Sequence, residues 1–171
     1  MAAPWLLAAW AGESADGGAT PAGRSAVATV VAGIVSYTRW PAETAPLRLC
    51  TLGRGPTVAE LLKATDLGSP QRPVSVRVLA DAGRAASDCD AVYVGTEGAA
   101  TIRDMLRRLA GLPVLLVGEG VDFCSDGGMF CLRPEAPAVK FNTNLDAIAR
   151  SGLRVNPLVL RIARGATGSG S

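Results

Sequence analysis

The chain has 171 residues, of which 49% are hydrophobic and only 5% aromatic, and its formal net charge is +2. This length and composition are typical of one α/β domain with an aliphatic core. The small net charge gives no indication of a nucleic-acid or anionic-membrane partner. No apolar run approaches the roughly 20 residues that a membrane-spanning helix requires.

The two ends of the chain differ from its centre in composition. Residues 12–23 and 165–171 are rich in Gly, Ala, Ser and Thr, which bury little apolar surface. The first eleven residues are apolar and end in Ala9-Trp10-Ala11, a pattern that fits signal-peptidase cleavage, although no basic residue precedes it. We therefore predict a signal remnant or disordered tail over 1–24, one domain over 25–165 and a disordered tail over 166–171.

Strand and helix patterns alternate along the centre of the chain. Ser25 is a candidate cap for a helix that ends by Trp40, since Pro41 disfavours helix before it. A strand at 47–53 precedes a helix that we expect Thr57 to cap. Further strands are predicted at 73–79, 90–95 and 112–120, and a further helix at 100–111. This alternation favours a Rossmann-like sandwich, a mostly parallel sheet flanked by helices.

The pattern changes after Gly120. The segments "MFCLRP" and "AVKFNTN" are short and antiparallel in character, and two helical turns follow them. We therefore predict a C-terminal β-hairpin and short helices within the same domain.

The sequence gives little support to catalysis or to a cofactor. Gly53 and Gly55 lie between a predicted strand and helix, as in a dinucleotide-binding turn. However, Val58 stands at the third glycine position and Pro56 removes a backbone donor. Glycine serves a steric purpose in any strand-to-helix turn, which we consider the better explanation. The chain has no histidine, Walker motif or G-x-S-x-G elbow.

The four cysteines, at 50, 89, 124 and 131, suit disulfides better than metal or redox sites. They include no C-x₂₋₄-C pair and the chain has no histidine. If Gly127 and Gly128 form a primed hairpin turn, Cys124 and Cys131 are directly opposed at bonding distance. Cys50 and Cys89 then remain to pair with each other. Two disulfides indicate an oxidising compartment; four buried thiols in a cytosolic core are the alternative.

Several segments between about 26 and 164 resemble the YfiR family of small periplasmic proteins. They are "GIVSYTRWP", "LRLCTLG", "CDAVYVG", "PVLLVGEGVDFCSDGGMFCL" and "VKFNTNLDAIARSGLRVNPLVLRIAR". The most specific are the Gly-Gly-x-Phe-x-Leu motif at 127–132 and the N-L-x-A-x-x-S-G-L motif at 144–153. The resemblance implies the same Rossmann-like sandwich without catalytic residues, and the cysteine pairs Cys50–Cys89 and Cys124–Cys131.

The resemblance also implies a function. A YfiR-type protein is a non-catalytic repressor that binds the periplasmic domain of a YfiN-type diguanylate cyclase and lowers cyclic di-GMP signalling, and with it biofilm and exopolysaccharide output. A YfiB-type, OmpA-like outer-membrane lipoprotein sequesters the repressor and relieves the cyclase. The resemblance further implies a homodimer. The alternative is a cytosolic Rossmann-like nucleotide-binding or enzymatic domain with free thiols.

Two groups of candidate site residues follow from the resemblance. Phe130, Asn142 and Ile148 are implied to contact a partner. Phe130 is predicted to project from the face opposite Cys131, and Ile148 to share a helix face with Leu145; burial in the core is the alternative. Arg39, Arg154 and Asn156 are candidates for an anion or cell-wall ligand site; Arg154 and Asn156 lie in the C-terminal segment where YfiR carries histidines. A solvated basic surface is the alternative for the two arginines.

Overall fold

A computed structural model describes residues 26–64, 67–135 and 138–162. The predicted tails over 1–24 and 166–171 and the Ser25 cap lie outside these residues. Six α-helices are present in the described part: α1 Ala26–Tyr37, α2 Pro56–Lys63, α3 Ala85–Asp88, α4 Ala99–Leu109, α5 Val121–Ser125 and α6 Leu145–Ser151. Short 3₁₀ helices span Ala82–Arg84 and Pro157–Arg161.

The described residues form eight strands in two sheets. The strands are β1 Thr38–Arg39, β2 Leu47–Leu52, β3 Val74–Val78, β4 Ala91–Val94, β5 Leu115–Glu119, β6 Phe130–Glu135, β7 Ala138–Thr143 and β8 Arg154–Val155. The main sheet has the order β3-β2-β4-β5-β6-β7, and β1 pairs with β8 in a separate ribbon. All pairings in the main sheet are parallel except β6 with β7. The predicted α/β class, the mostly parallel sheet and the C-terminal hairpin are confirmed.

The central strands are buried because they are continuous apolar runs, as expected of a parallel sheet covered on both faces. Every residue of β4 is buried, and so are the first four of β5. The sheet order reverses direction after β3, so right-handed crossovers place α2 on one face and α4 on the other. Helix α1 contacts α2, and α3 contacts α4. The core therefore lies between two helical layers.

Two local predictions are wrong. Helix α2 begins at Pro56, with Gly55 as its N-cap and no side-chain cap, so Thr57 lies inside the first turn. Proline suits that first position because its fixed φ is helical and its missing N–H has no partner there. The other error is the proposed hairpin at Gly127-Gly128, which does not exist.

Residues 121–125 form helix α5, and the two glycines end it. Gly127 has a φ of 114°, which favours glycine. Gly128 packs under the Phe123 ring, and a Cβ there would lie 2.2 Å from a ring carbon. Steric demand at a helix end therefore explains the pair of glycines.

Two disulfides link these elements. Cys50 in β2 bonds to Cys89, just before β4, with a Cα–Cα distance of 5.8 Å. Cys124 in α5 bonds to Cys131 in β6, with a Cα–Cα distance of 5.7 Å. The second bond thus joins a helix to a strand rather than two strands of one hairpin. Among the described residues, no helix is both long enough and apolar enough to cross a membrane.

Candidate functional site

The two-stranded ribbon brings together the three candidate ligand-binding residues. Arg39 in β1 lies directly opposite Arg154 in β8. Both arginines and Asn156 line one open cavity of about 410 Å³, together with residues at the end of α1. The Asn156 side chain accepts a hydrogen bond from the Leu158 backbone N–H at 2.9 Å, which fixes the turn that follows β8. We call this cavity the arginine cleft.

The arginine cleft is electropositive. Like charges that are directly opposed in antiparallel strands repel each other, and neither Arg39 nor Arg154 forms an ion pair within the described part of the chain. Arg39 uses Nη1 to donate to the carbonyls of Ser36 and Thr38, at 2.7 and 3.0 Å. Its remaining guanidinium donors make no hydrogen bond to a described residue. An anion would satisfy those donors and offset the repulsion.

Asp90 helps to hold the segment between β1 and β2, residues 40–46. Asp90 accepts hydrogen bonds from the Thr44 hydroxyl at 3.0 Å, and from the backbone N–H and the guanidinium of Arg48 at 2.8 to 3.0 Å. Its backbone carbonyl accepts from the Trp40 indole N–H at 3.0 Å. Asp90 therefore ties the chain next to β1 to the start of β4.

These contacts predict that the folded state loses stability at acid pH. Burial acts to raise the pKa of Asp90, but the Arg48 guanidinium and N–H and the Thr44 hydroxyl together hold it below its ordinary value. A group whose pKa is lower in the folded state contributes fully above its unfolded pKa of about 3.9 and loses that contribution as pH falls through the folded value. Asp90→Asn is expected to cost about 1.5 to 3 kcal/mol of unfolding free energy at pH 7.

Denaturant unfolding at pH 7 and at pH 3 checks this expectation. Between pH 7 and pH 3, the free energy of unfolding of Asp90→Asn should fall by less than that of the unmodified chain. Asp126→Asn serves as the control because Asp126 is exposed, and its unfolding should match that of the unmodified chain. Equal acid sensitivity with and without the Asp90 carboxylate would contradict the assignment.

Phe130 is not on the surface. It has no exposed area, and its ring meets that of Phe141 edge to face, with centroids 5.8 Å apart. Strand alternation does place Phe130 on the face opposite the disulfide, as predicted. That face, however, is buried in the core, as is the opposite face at Cys131, and β6 is enclosed by β5 and β7. The expectation that Phe130 is an exposed anchor is therefore wrong.

Ile148 is also buried, at 8% exposure, whereas Leu145 is 73% exposed. Ile148 points inward with Ala147 and Ser151, so the prediction that it shares a face with Leu145 is wrong. Leu145 is the first residue of α6, directly after the capping residue Asn144. Side chains on a helix tilt toward its N-terminus, so the side chain of a first residue projects past the end of the helix and not onto the surface that the next turn covers.

Asn142 is exposed and belongs to the polar face of the hairpin. It lies opposite Cys131, and Lys140 lies opposite Arg133. Lys140 pairs with Glu135 at 2.8 Å, while the Arg133 Nε atom is buried without a partner among the described residues. We call Arg133, Lys140, Asn142 and Leu145 the hairpin patch. Arg133 and Lys140 could have been identified from the sequence, because the register of β6 and β7 places them opposite each other.

The junction beside the hairpin patch is held by one side chain. Asn144 accepts a hydrogen bond from the Ala147 N–H at 3.0 Å and so caps α6. Its amide nitrogen donates to the Cys124 carbonyl of α5 at 3.0 Å. Together with the disulfide to Cys131, this bond fixes α5 and the start of α6 against the hairpin. The patch thus rests on a rigid support.

The crevice that binds ligands in doubly wound sheets is closed. It lies at the carboxyl ends of β2 and β4, where the strand order reverses. Arg54 and Thr96 exchange backbone hydrogen bonds across it, at 3.0 and 2.8 Å. A Cβ on Gly53 would lie 2.5 Å from the Thr96 carbonyl oxygen. Gly53 therefore serves the close approach of two loops, as the steric explanation requires, whereas Gly55 has a φ of 136° that favours glycine.

Side chains fill the same edge of the sheet. The buried Tyr93 hydroxyl donates to the Glu119 carboxylate at the end of β5. Burial and that carboxylate raise the pKa of Tyr93, although the Thr57 hydroxyl acts in the opposite direction, so the phenol stays neutral as a donor. Within the described residues, no group of three or more acidic, Cys or His side chains is arranged to hold a metal ion.

Comparison with known families agrees with this architecture. A family model described as YfiR/HmsC-like (DUF4154) matches residues 24–164 of the chain. The match spans both disulfides, the hairpin patch and the arginine cleft.

Proposed function

This chain belongs to the YfiR/HmsC-like family, a regulatory rather than a catalytic family of periplasmic proteins that act on diguanylate cyclases, and we propose that it is a repressor. In this proposal it binds the periplasmic domain of a YfiN-type cyclase in the inner membrane and lowers cyclic di-GMP, and with it biofilm and exopolysaccharide output. The family match is the observation that carries the proposal. Regulation then depends on a binding equilibrium.

The disulfides support this location and this mode of action. Two bonded pairs fit the oxidising periplasm. The closed crevice at Arg54 and Thr96 favours a protein that acts through its surface. We also propose that an OmpA-like lipoprotein of the YfiB type sequesters the chain, which would release the cyclase, and that the chain forms a homodimer.

We propose that the hairpin patch contacts the partner. It combines an exposed apolar side chain, Leu145, with the polar and charged rim of Asn142 and Lys140. An apolar anchor inside a polar rim is the usual composition of a binding surface. The Asn144 bonds and the disulfide at Cys124 preorganise this surface, which lowers the entropic cost of association.

Genetic complementation tests both parts of the proposal. Deleting the gene is expected to raise cellular cyclic di-GMP, because the cyclase then lacks its repressor. The unmodified gene should restore the low level. Leu145→Asp should fail to restore it, because a charge at a central contact weakens binding by about tenfold or more. The measurement is cyclic di-GMP in cell extracts at matched periplasmic protein levels.

Leu62→Asp is the matched control for this experiment. Leu62 is also an exposed leucine on a helix, at 38%, but α2 contacts β2 and β3 at the other edge of the sheet. This variant should repress normally. Unchanged cyclic di-GMP in the deletion strain would refute the repressor function. Normal repression by Leu145→Asp would refute only the assignment of the hairpin patch.

We further propose that the arginine cleft binds an anionic ligand from the periplasm or the cell wall. Arg39 and Arg154 would hold its charge, and Asn156, whose side chain is tied to the Leu158 N–H, would line the site. The opposed arginines support this assignment, since their mutual repulsion makes a bound anion favourable.

A further inference from the structure

A second cavity adjoins the arginine cleft at Arg39. It has a volume of about 580 Å³ and separates α1 from the loop at residues 67–74. Ser36 and Arg39 line both cavities, so the two are neighbours along α1. Volumes of this order accommodate small ligands. We call it the α1 cavity.

Small residues of α1 line the helix side of the cavity. Thr29, Ala32, Gly33 and Ser36 recur at helical spacing and line the cavity on one side. Leu67 and Val74 provide further apolar lining on the loop side, next to β3. A ligand here would therefore find apolar contact along its length and hydroxyl groups beside it.

Charges of both signs stand at the rim of the α1 cavity. Arg72 is already engaged: it donates to the Thr38 carbonyl at 2.7 Å and to Glu43 at 3.1 Å, and it lies over the Trp40 ring. Arg39 retains donors that have no partner among the described residues. The Glu43 side chain is 75% exposed despite its bond to Arg72, so its carboxylate remains accessible. The rim thus offers one cation and one anion to a ligand.

We propose that the α1 cavity binds a short zwitterionic peptide, with its terminal carboxylate at Arg39 and its ammonium group at Glu43. Arg39 binds a carboxylate through the guanidinium donors it has left. The Gln71 amide and the hydroxyls of Thr29 and Ser69 supply neutral hydrogen-bonding groups for peptide bonds. An inorganic anion would occupy only the Arg39 end. The peptide site does not depend on the repressor function, and it shares Ser36 and Arg39 with the proposed arginine cleft.

Titration calorimetry with trialanine, its C-terminal amide and its N-acetyl derivative tests this site on the full chain. Trialanine is expected to bind saturably. The amide and the N-acetyl peptide should each bind about tenfold more weakly, because each lacks one charge-assisted contact. In Arg39→Gln, the free acid and the amide should bind equally. The peptide variants keep the test valid even if a protein variant is unstable.

Variants on either side of Arg39 locate the ligand. Thr29→Trp fills the α1 cavity from an exposed helix position and should abolish binding, whereas Arg154→Gln, which lines only the arginine cleft, should change affinity less than about threefold. The proposal is overturned if no peptide binds saturably, if the acid and the amide bind alike, or if Thr29→Trp has no effect. If inorganic phosphate binds but no peptide does, the proposed anion site in the arginine cleft stands and the proposed peptide site in the α1 cavity is refuted.

Discussion

Phe130→Ala is expected to lower the free energy of unfolding by about 3 to 5 kcal/mol, the range for a large aromatic residue removed from a core. Phe130 has no exposed area and its ring packs against Phe141, so the change leaves a cavity between β6 and its neighbours. Because small domains are stable by only about 5 to 15 kcal/mol, such a loss could remove much of the folded population. Chemical unfolding at pH 7 measures it.

Phe141→Ala is the matched control, since it removes the same side chain from the neighbouring strand. Phe141 is only half-buried, so its loss should cost clearly less than the loss of Phe130. Where the Phe130 variant remains folded, its affinity for the cyclase domain should be close to normal. Weakened binding with unchanged stability would mean that Phe130 is a partner contact after all and that its burial in the core is wrong.

The main sheet could be predicted from sequence because its signals are local. A run such as Leu115–Gly118, buried throughout, is recognised by its composition alone, and the helices between strands by their spacing. The hairpin β6–β7 is likewise visible as two short strands close together in the chain. Parallel order then follows from the alternation of elements.

The covered face of a strand is not a local property. Alternation shows that Phe130 and Cys131 point to opposite faces, but it does not show that both residues are buried. Helix α1, at the other end of the sequence, contacts β7 and helps to cover the apolar face of this hairpin. Sequence alone therefore predicts the face of the strand from which Phe130 projects, but not its burial.

The candidate site depends even more on long-range pairing. Arg39 and Arg154 meet through two strands of only two residues each, which are too short to show a periodic pattern. The resemblance to a family, rather than spacing, suggested that they belong together. The pairing of Cys124 with Cys131 is similar: the pair is correct, but the supporting geometry is a helix end packed on a strand. Cys124 and Cys131 are only seven positions apart in the chain, so they stay close enough to pair whether the residues between them form a hairpin turn or the end of a helix.

Removing the Cys50–Cys89 bond is expected to cost more stability than removing Cys124–Cys131. The two bonds close segments with sequence separations of 39 and 7. By lowering the entropy of the unfolded chain alone, they stabilise the fold by about 4 and about 2.5 kcal/mol, respectively. Cys50 and Cys89 are both buried, so paired replacement by alanine is preferable to serine, which would bury unsatisfied hydroxyls.

The position of the longer bond adds to this difference. Cys89 directly precedes Asp90, whose carboxylate holds Thr44 and Arg48, so loosening the start of β4 also weakens the support of the 40–46 segment next to Arg39. The Cys124–Cys131 bond is backed by the Asn144 bond to α5, which survives its removal. Denaturant unfolding of the two double alanine variants, without reductant, measures both losses. An equal or larger loss for the short bridge would show that these neighbouring contacts, and not loop length, determine what each disulfide contributes.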